Sequence, residues 1–268
     1  MKETFKWLHD NKESLIAQKK GSVKHGDGIP FDYVNDIELV EKDNDGTTIT
    51  YKAEITEDEN PNEAKVRAVI NTTNIMDSHK DVHLPGLWTK SLKENRMIMH
   101  LQEHDMKFDK IIADKKDLKA YAETYTWKEL GFDFEGETQA LVFDSTIKRD
   151  RNSYMLDQYK QGHVNNHSVG MMYVKLELAI NDKEYEDEYK VWKKHIDQIA
   201  NKDLVEATGY FWAVLEAKVI EGSAVPLGSN FATPTLDIKA EPVQTTQENE
   251  PDTSTQDKLN KFFNNLNL

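Results

Sequence analysis

The chain has no cysteine among its 268 residues. That excludes disulfides, thiol nucleophiles and Cys-ligated zinc, and it suits a reducing compartment. Positive charge is also scarce. Lys and Arg number 34 against 48 Asp and Glu, a formal net charge of −14. Nonspecific nucleic-acid binding needs a basic face to displace counterions, so no nucleic-acid partner is expected. No segment approaches the ~18 continuous apolar residues that span a bilayer. The opening stretch MKETFKWLHDNKESL carries acidic residues where a secretory signal has an apolar core of roughly 7–15 residues. No membrane association is expected, and the cytoplasm is the expected place of synthesis.

What is present falls into three textures. Residues 1–19 read as a helix with Phe5, Leu8, Leu15 and Ile16 roughly on one face. A Gly-rich break (19–30), an alternating segment TTITYKAEI (47–55) and an acidic turn (56–63) complete an N-terminal arm over 1–60. From 61 to 236 strands dominate: 64–73, 96–101, 117–127, 138–148, 167–180, and one bent strand or two within 206–225. Helices are expected at 150–161, grouping Met155, Leu156 and Tyr159, and across the charged stretch 182–203, with Tyr185, Tyr189, Trp192, Ile196 and Ile199 near one face. The pattern predicts an α+β domain with a β-barrel-like mixed sheet and flanking helices, rather than alternating βαβ units. Residues 237–268 read as a disordered linker too poor in apolar residues to bury a core. It ends in KLNKFFNNLNL, where Leu259, Phe262, Phe263 and Leu266 repeat at helical spacing. That helix either docks elsewhere as a targeting peptide or folds back onto its own domain.

Several polar residues stand out. His79 and His83, His100 and His104, and His163 and His167 are each four apart. HLQEH (100–104) matches the H-x-x-E-H pattern in which two helical histidines hold zinc, with Glu103 between them. The motif requires a helix, and the flanking RMIMHL and DMKFDK give little helical support. Ser168, in VNNHSVGMMYVKL, lacks a G-x-S-x-G elbow and leads into a strand, which disfavours an α/β-hydrolase. Period-two geometry sets Ser168 on one strand face with Gly170, Met172, Val174, Leu176 and Leu178, and turns His167 to the other. Ser168 is therefore either a nucleophile or a packing serine bonded to a nearby carbonyl. In VLEAKVIEGSAVP (214–226), Glu221 falls on the apolar side with Leu215, Ala217, Val219, Ser223 and Val225. A carboxylate there either reaches water at a strand end or is buried against a partner, for which a histidine is suited. Glu216 lies on the opposite face, and Asp105 could only shape the loop beside His104.

Taken in order, four stretches resemble the prohead proteases of tailed phages, capsid-maturation serine peptidases similar in fold to the herpesvirus assemblins. INTTNIMDSHKDVHLPGLWTKSL (70–92) resembles the family's opening strand, Asp-containing loop and helix start. MHLQEHDMKFDKII (99–112) resembles its strand ending in an HD pair, and YKQGHVNNHSVGMMY (159–173) its serine segment. IEGSAVPLGSNFATP (220–234) resembles its ending, with Glu221-Gly222-Ser223 in place of E-v-S, where the glycine suggests a bulge. Stretch 182–203 then reads as a long insertion. The resemblance covers about 64–236 and implies Ser168 as nucleophile, His104 as base and Glu221 as the third member, with no cofactor and no metal. It implies an endopeptidase acting on scaffold and major capsid protein inside the assembling procapsid, in the host cytoplasm. It implies self-cleavage at the chain's own ends, with 237–258 a candidate region, and possible homo-oligomers. The rival expectations are a zinc hydrolase using His100, Glu103 and His104, and a non-catalytic capsid assembly or scaffolding protein.

Overall fold

The computed structural model describes residues 1–24, 61–94 and 97–239, with strand pieces at 41–42, 48–49 and 54–56. The expected linker and terminal helix over 240–268 lie outside the described residues.

The first expected helix is two. α1 (Lys2–Asp10) and α2 (Lys12–Lys20) meet at Asn11, whose side-chain amide donates to the Trp7 carbonyl at 2.8 Å. A side chain that bonds its own backbone in this way competes with the helix, which explains the break. α1 buries Phe5 and Leu8 in the main core. Lys12 binds Glu188 at 2.8 Å and Lys19 binds Asp81 at 2.5 Å, so the two helices of the arm are docked on the domain.

The remaining chain is mixed α+β. β1 (Glu41–Lys42) pairs antiparallel with β2 (Thr48–Ile49). β3 (Glu54–Thr56), β4 (Glu63–Thr72), β5 (Asp81–His83), α3 (Thr89–Glu94), β6 (Met99–Gln102) and β7 (Ile111–Ala113) follow. Then come β8 (Leu118–Thr126), β9 (Glu137–Lys148), α4 (Arg149–Lys160) and β10 (His167–Ile180). The chain continues through α5 (Glu186–His195), α6 (Lys202–Thr208), β11 (Tyr210–Ala224) and β12 (Thr235–Lys239). α4 buries Met155, Leu156 and Tyr159 as its spacing predicts, and α5 buries Trp192 against Phe211 of β11.

Two five-stranded sheets form the body. One has the order β10–β11–β6–β7, with β5 also on β11; the other has the order β3–β12–β4–β9–β8. Among the described residues both are open, so the barrel-like closure expected from the strand pattern is not what these strands build. The sheets pack face to face, which accounts for Gly222. A Cβ there would lie 2.5 Å from Phe143 Cε2 and 2.7 Å from Ile70 Cγ2 of the facing sheet. Gly222 keeps regular pairing with Val169 and His100, so close approach requires the glycine. The bulge of β11 falls two residues earlier, at Ile220, and turns Glu221 to the face opposite Val219 instead of the shared face expected from alternation.

Two further expectations are corrected. The linker boundary at 237 falls inside β12, which pairs with β4 and β3 and buries Ile238. The inward stripe on β10 is also interrupted. Val169, Met171 and Tyr173 enter the core, while Met172 and Val174 are 37% and 45% exposed. Its register against β11 shifts between Tyr173 and Leu176, and beyond that point Leu176, Leu178 and Ile180 are the buried residues. An irregularity of this kind reverses the strand's inside and outside, which no period-two count can foresee.

Candidate active site

Three strand ends converge on the candidate site. β10 begins at His167, and its antiparallel register on β11 sets Ser168 opposite Ser223 and Gly170 opposite Glu221. On the other side of β11, β6 runs parallel, with Met99 beside Glu221 and Leu101 beside Ser223. β6 stops at Gln102, and the next two residues turn sharply. Glu103 and His104 have φ of 53° and 59°, left-handed values that residues other than glycine rarely take. Such strain is tolerated where surrounding bonds over-determine it. Here the Glu103 amide donates to the Ala224 carbonyl at 2.9 Å and the His104 amide to Ser223 Oγ at 3.0 Å. The turn brings the His104 side chain back over β11.

His104 Nδ1 lies 2.6 Å from Glu221 Oε1, and Ser223 Oγ donates to Glu221 Oε2 at 2.6 Å. Glu221 has 0% exposure and the His104 side chain 9%. A carboxylate this deeply buried is tolerable only when its oxygens are bonded, and here both are. With Glu221 as acceptor, Nδ1 carries the proton, and the basic lone pair of a neutral imidazole falls on Nε2.

Gly170 fixes where the carboxylate sits. A Cβ on it would lie 1.9 Å from Glu221 Oε1. The carboxylate thus occupies the space of the missing side chain, on the same strand face as Ser168 two residues earlier. Ser168 is 5% exposed. Residues 168, 170, 221 and 223 share one face, and His104 is bonded to two of them. Of the three residues expected from the sequence, His104 and Glu221 are in contact, and Ser168 lies on the strand face that bears Glu221.

His167 turns to the opposite face, as alternation predicts. Its Nδ1 donates to the Thr233 carbonyl at 2.9 Å, which leaves Nε2 as acceptor for the Tyr159 hydroxyl, also at 2.9 Å. That hydroxyl oxygen then accepts from His100 Nε2 at 3.1 Å, and His100 Nδ1 accepts from Ser145 Oγ at 2.9 Å. The direction of every bond in this buried chain follows from the one carbonyl at its end. Burial pushes His100 down to about 3 and His167 down to about 4, so both are neutral.

This arrangement corrects the zinc reading. The segment is a strand followed by a turn, not a helix, so His100 and His104 fall on different faces. His100 has both nitrogens engaged in the opposite layer. No group of three or more potential metal-ligating side chains occurs among the described residues. Of the carboxylates set aside, Asp105 pairs with Lys107 and Glu216 lies near Lys90, both away from Glu221.

Sequence reasoning gave Ser223 no role, yet it joins the His104 backbone to the Glu221 carboxylate. Its signal was present: a hydroxyl of the same parity two residues from a candidate buried acid. A second polar group was not foreseen. Asp81 accepts from Tyr173 at 2.7 Å and from Lys19, and His83 lies 3.3 Å from the Tyr173 hydroxyl and 2.9 Å from Asn71 Nδ2. Burial pushes His83 down to about 4, while burial and the Asp81 charge push Asp77 up to about 8.

No helix among the described residues is long and apolar enough to cross a membrane. No protein-family model, curated protein or solved structure matches this chain.

Proposed function

We propose that this chain is a serine endopeptidase in which Ser168 is the nucleophile, His104 the general base and Glu221 the acid that orients it. The observation that carries this reading is the 2.6 Å bond from His104 Nδ1 to the buried Glu221, on the face that bears Ser168. An acid with no exposure held on a nearly buried histidine has a clear catalytic use. It fixes the tautomer and stabilises the imidazolium that forms when the serine gives up its proton. Ser168 Oγ attacks a peptide carbonyl while His104 Nε2 takes the hydroxyl proton. The imidazolium passes that proton to the leaving amine as the C–N bond breaks. Water then attacks the acyl-enzyme by the same relay, releasing the new carboxylate and restoring Ser168.

The resemblance of four ordered stretches to phage prohead proteases supplies the substrate class. The proposed substrates are a scaffold protein, the removable segment of a major capsid protein, and the chain itself, cleaved inside an assembling procapsid. An assemblin-like architecture belongs to the same proposal. The test is Ser168→Ala co-expressed with capsid and scaffold proteins. Processing is expected to stop while the thermal unfolding transition is retained. Processing at the wild-type rate refutes the assignment. Loss of activity to a chelator with restoration by zinc would do the same, in favour of metal chemistry.

A further inference from the structure

β10 carries Ser168 near its start and, among the described residues, its strand partner is β11, on one side. Its other side is a sheet edge, and an edge strand is a template for an incoming extended chain. One residue of the N-terminal arm already uses it. The Lys24 amide donates to the Met171 carbonyl at 2.7 Å, and the Met171 amide donates to the Lys24 carbonyl at 3.1 Å. This reciprocal exchange is an antiparallel bridge, three residues from Ser168. Lys24 and Ser168 also line the same small cleft, with Met171, Tyr173 and Ser229. The arm is anchored immediately before this contact. Lys19, in the last turn of α2, binds Asp81, which in turn accepts from the Tyr173 hydroxyl of β10. By strand alternation Val169 turns its N–H and C=O toward the same edge, one position from Ser168.

We propose that the outer edge of β10 beside Ser168 is a docking groove for an extended peptide substrate, and that the segment Ser22–Lys24 holds it as an internal competitor. This rests on the endopeptidase reading above. Main-chain bonds to an edge strand give affinity with little demand on sequence, and neighbouring pockets add preference, the usual economy of β-strand addition. The arm competes because it is tethered. A covalently linked segment acts at an effective concentration near the millimolar range, so a free substrate must displace it. The low exposure of Ser168, 5%, fits a groove that is occupied.

The experiment uses the full chain. Lys24→Pro removes the N–H that donates to Met171 and so breaks the bridge. Val23→Pro, one residue away where the N–H turns from β10, is the control. The probe is a fluorescent peptide of the chain's own sequence KKGSVKHGDG (19–28), bound to these variants on a Ser168→Ala background. Lys24→Pro is expected to bind it about tenfold more tightly than the Val23→Pro control, because the tether no longer competes. Equal affinity in the two overturns the proposal. Should Lys24→Pro fail to fold, amide exchange on the unsubstituted arm gives the same decision. Saturating free peptide must expose the Lys24 amide while the Met171 amide stays protected; no change at Lys24 overturns the proposal. Labelling of Ser168 by a small fluorophosphonate is read separately. It needs an activated serine but no strand docking, so its failure speaks against the endopeptidase and leaves the peptide result standing.

Discussion

Gly170→Ala tests the geometry of the site with a single methyl group. The new Cβ would stand 1.9 Å from Glu221 Oε1, 2.8 Å from its Cδ and 3.0 Å from its Cγ. Ordinary contact begins near 3.4 Å, so the carboxylate must retreat by roughly 1.5 Å. That cannot happen with the 2.6 Å bonds to His104 and Ser223 intact. Misplacing a catalytic group by ~1 Å costs ~100-fold, or about 3 kcal/mol of transition-state stabilisation. Overpacking of a filled site costs about 1–3 kcal/mol of stability, which a domain with a large core survives. Expected, then, is a folded protein with kcat reduced ~100-fold and KM nearly unchanged, measured on a processed substrate, with fluorophosphonate labelling of Ser168 slowed in parallel. The double variant Gly170→Ala/Glu221→Ala sharpens the test. With no carboxylate to strike, the methyl group is accommodated, and the double variant should be no slower than Glu221→Ala alone. Gly170→Ala activity within about threefold of wild type would refute the reasoning, as would full additivity with Glu221→Ala.

Other outcomes follow from the same contacts. Ser223→Ala leaves a Glu221 oxygen and the His104 amide without their shared partner; stability should drop by about 1–3 kcal/mol and kcat by ~10-fold or more, read by urea unfolding and steady-state rates. Gly222→Ala should act oppositely to Gly170→Ala, wedging the sheets apart at Phe143 and Ile70 and lowering the unfolding midpoint before it touches the chemistry. Stability should fall on acidification. His83, His100 and His167 have folded-state values depressed to about 4, 3 and 4, so the unfolded chain takes up their protons first below ~6.5, and stability present above that pH is lost toward 4. Asp77, raised to about 8, runs the other way, its contribution being complete below ~4 and lost as pH rises through 8. Three groups against one leave a net loss of about 3 kcal/mol per pH unit between roughly pH 6 and 4. Urea unfolding midpoints unchanged over that range would contradict the buried, neutral assignment of these histidines.

Much of this was legible because strands alternate. Parity alone set Glu221 and Ser223 on one face and turned His167 away from Ser168, and the structure has all three so. Helical spacing likewise found Met155, Leu156 and Tyr159 on α4. What could not be read were interruptions of period and choices between layers. The register shifts between Tyr173 and Leu176 move the buried side of β10 from odd to even positions, and nothing in YVKL marks them. Asn11 splits a helix through a side-chain bond to Trp7 that costs no change in hydrophobic pattern. Gly222 looked like a bulge because a glycine in a strand serves either a bend or a close neighbour, and only the facing sheet decides which. β12 was missed for a related reason. TLDIK does alternate, but five residues with two apolar side chains, Leu236 and Ile238, are a short signal beside a long polar tail, and the strand's stability comes from neighbours on both sides.

The two histidine networks explain why His104, and neither neighbour, is the proposed base. His100 and His104 are four apart, and His167 adjoins Ser168, so all three are candidates by proximity in sequence. Strand geometry separates them. His100 and His167 face the second sheet, where Tyr159, Ser145 and the Thr233 carbonyl consume all four ring nitrogens and burial keeps both rings neutral. A histidine so engaged can neither receive a proton cheaply nor move to deliver one. His104 escapes this layer only because β6 ends two residues earlier and the left-handed pair at Glu103 and His104 carries it to the other face. There it meets a carboxylate, the one partner that makes a charged imidazole inexpensive. The fixed network behind the strands also holds the starts of β10 and β6 together, His167 to His100 through one hydroxyl. Tyr159→Phe should therefore reach the site from behind. It removes that hydroxyl alone, costs about 1–3 kcal/mol by orphaning two buried nitrogens, and loosens the relative position of Ser168 and His104. The expected signature is a lower kcat at unchanged KM, with the pH dependence of kcat/KM retained. A Tyr159→Phe enzyme that loses stability but keeps its full kcat would show that the two layers are mechanically independent.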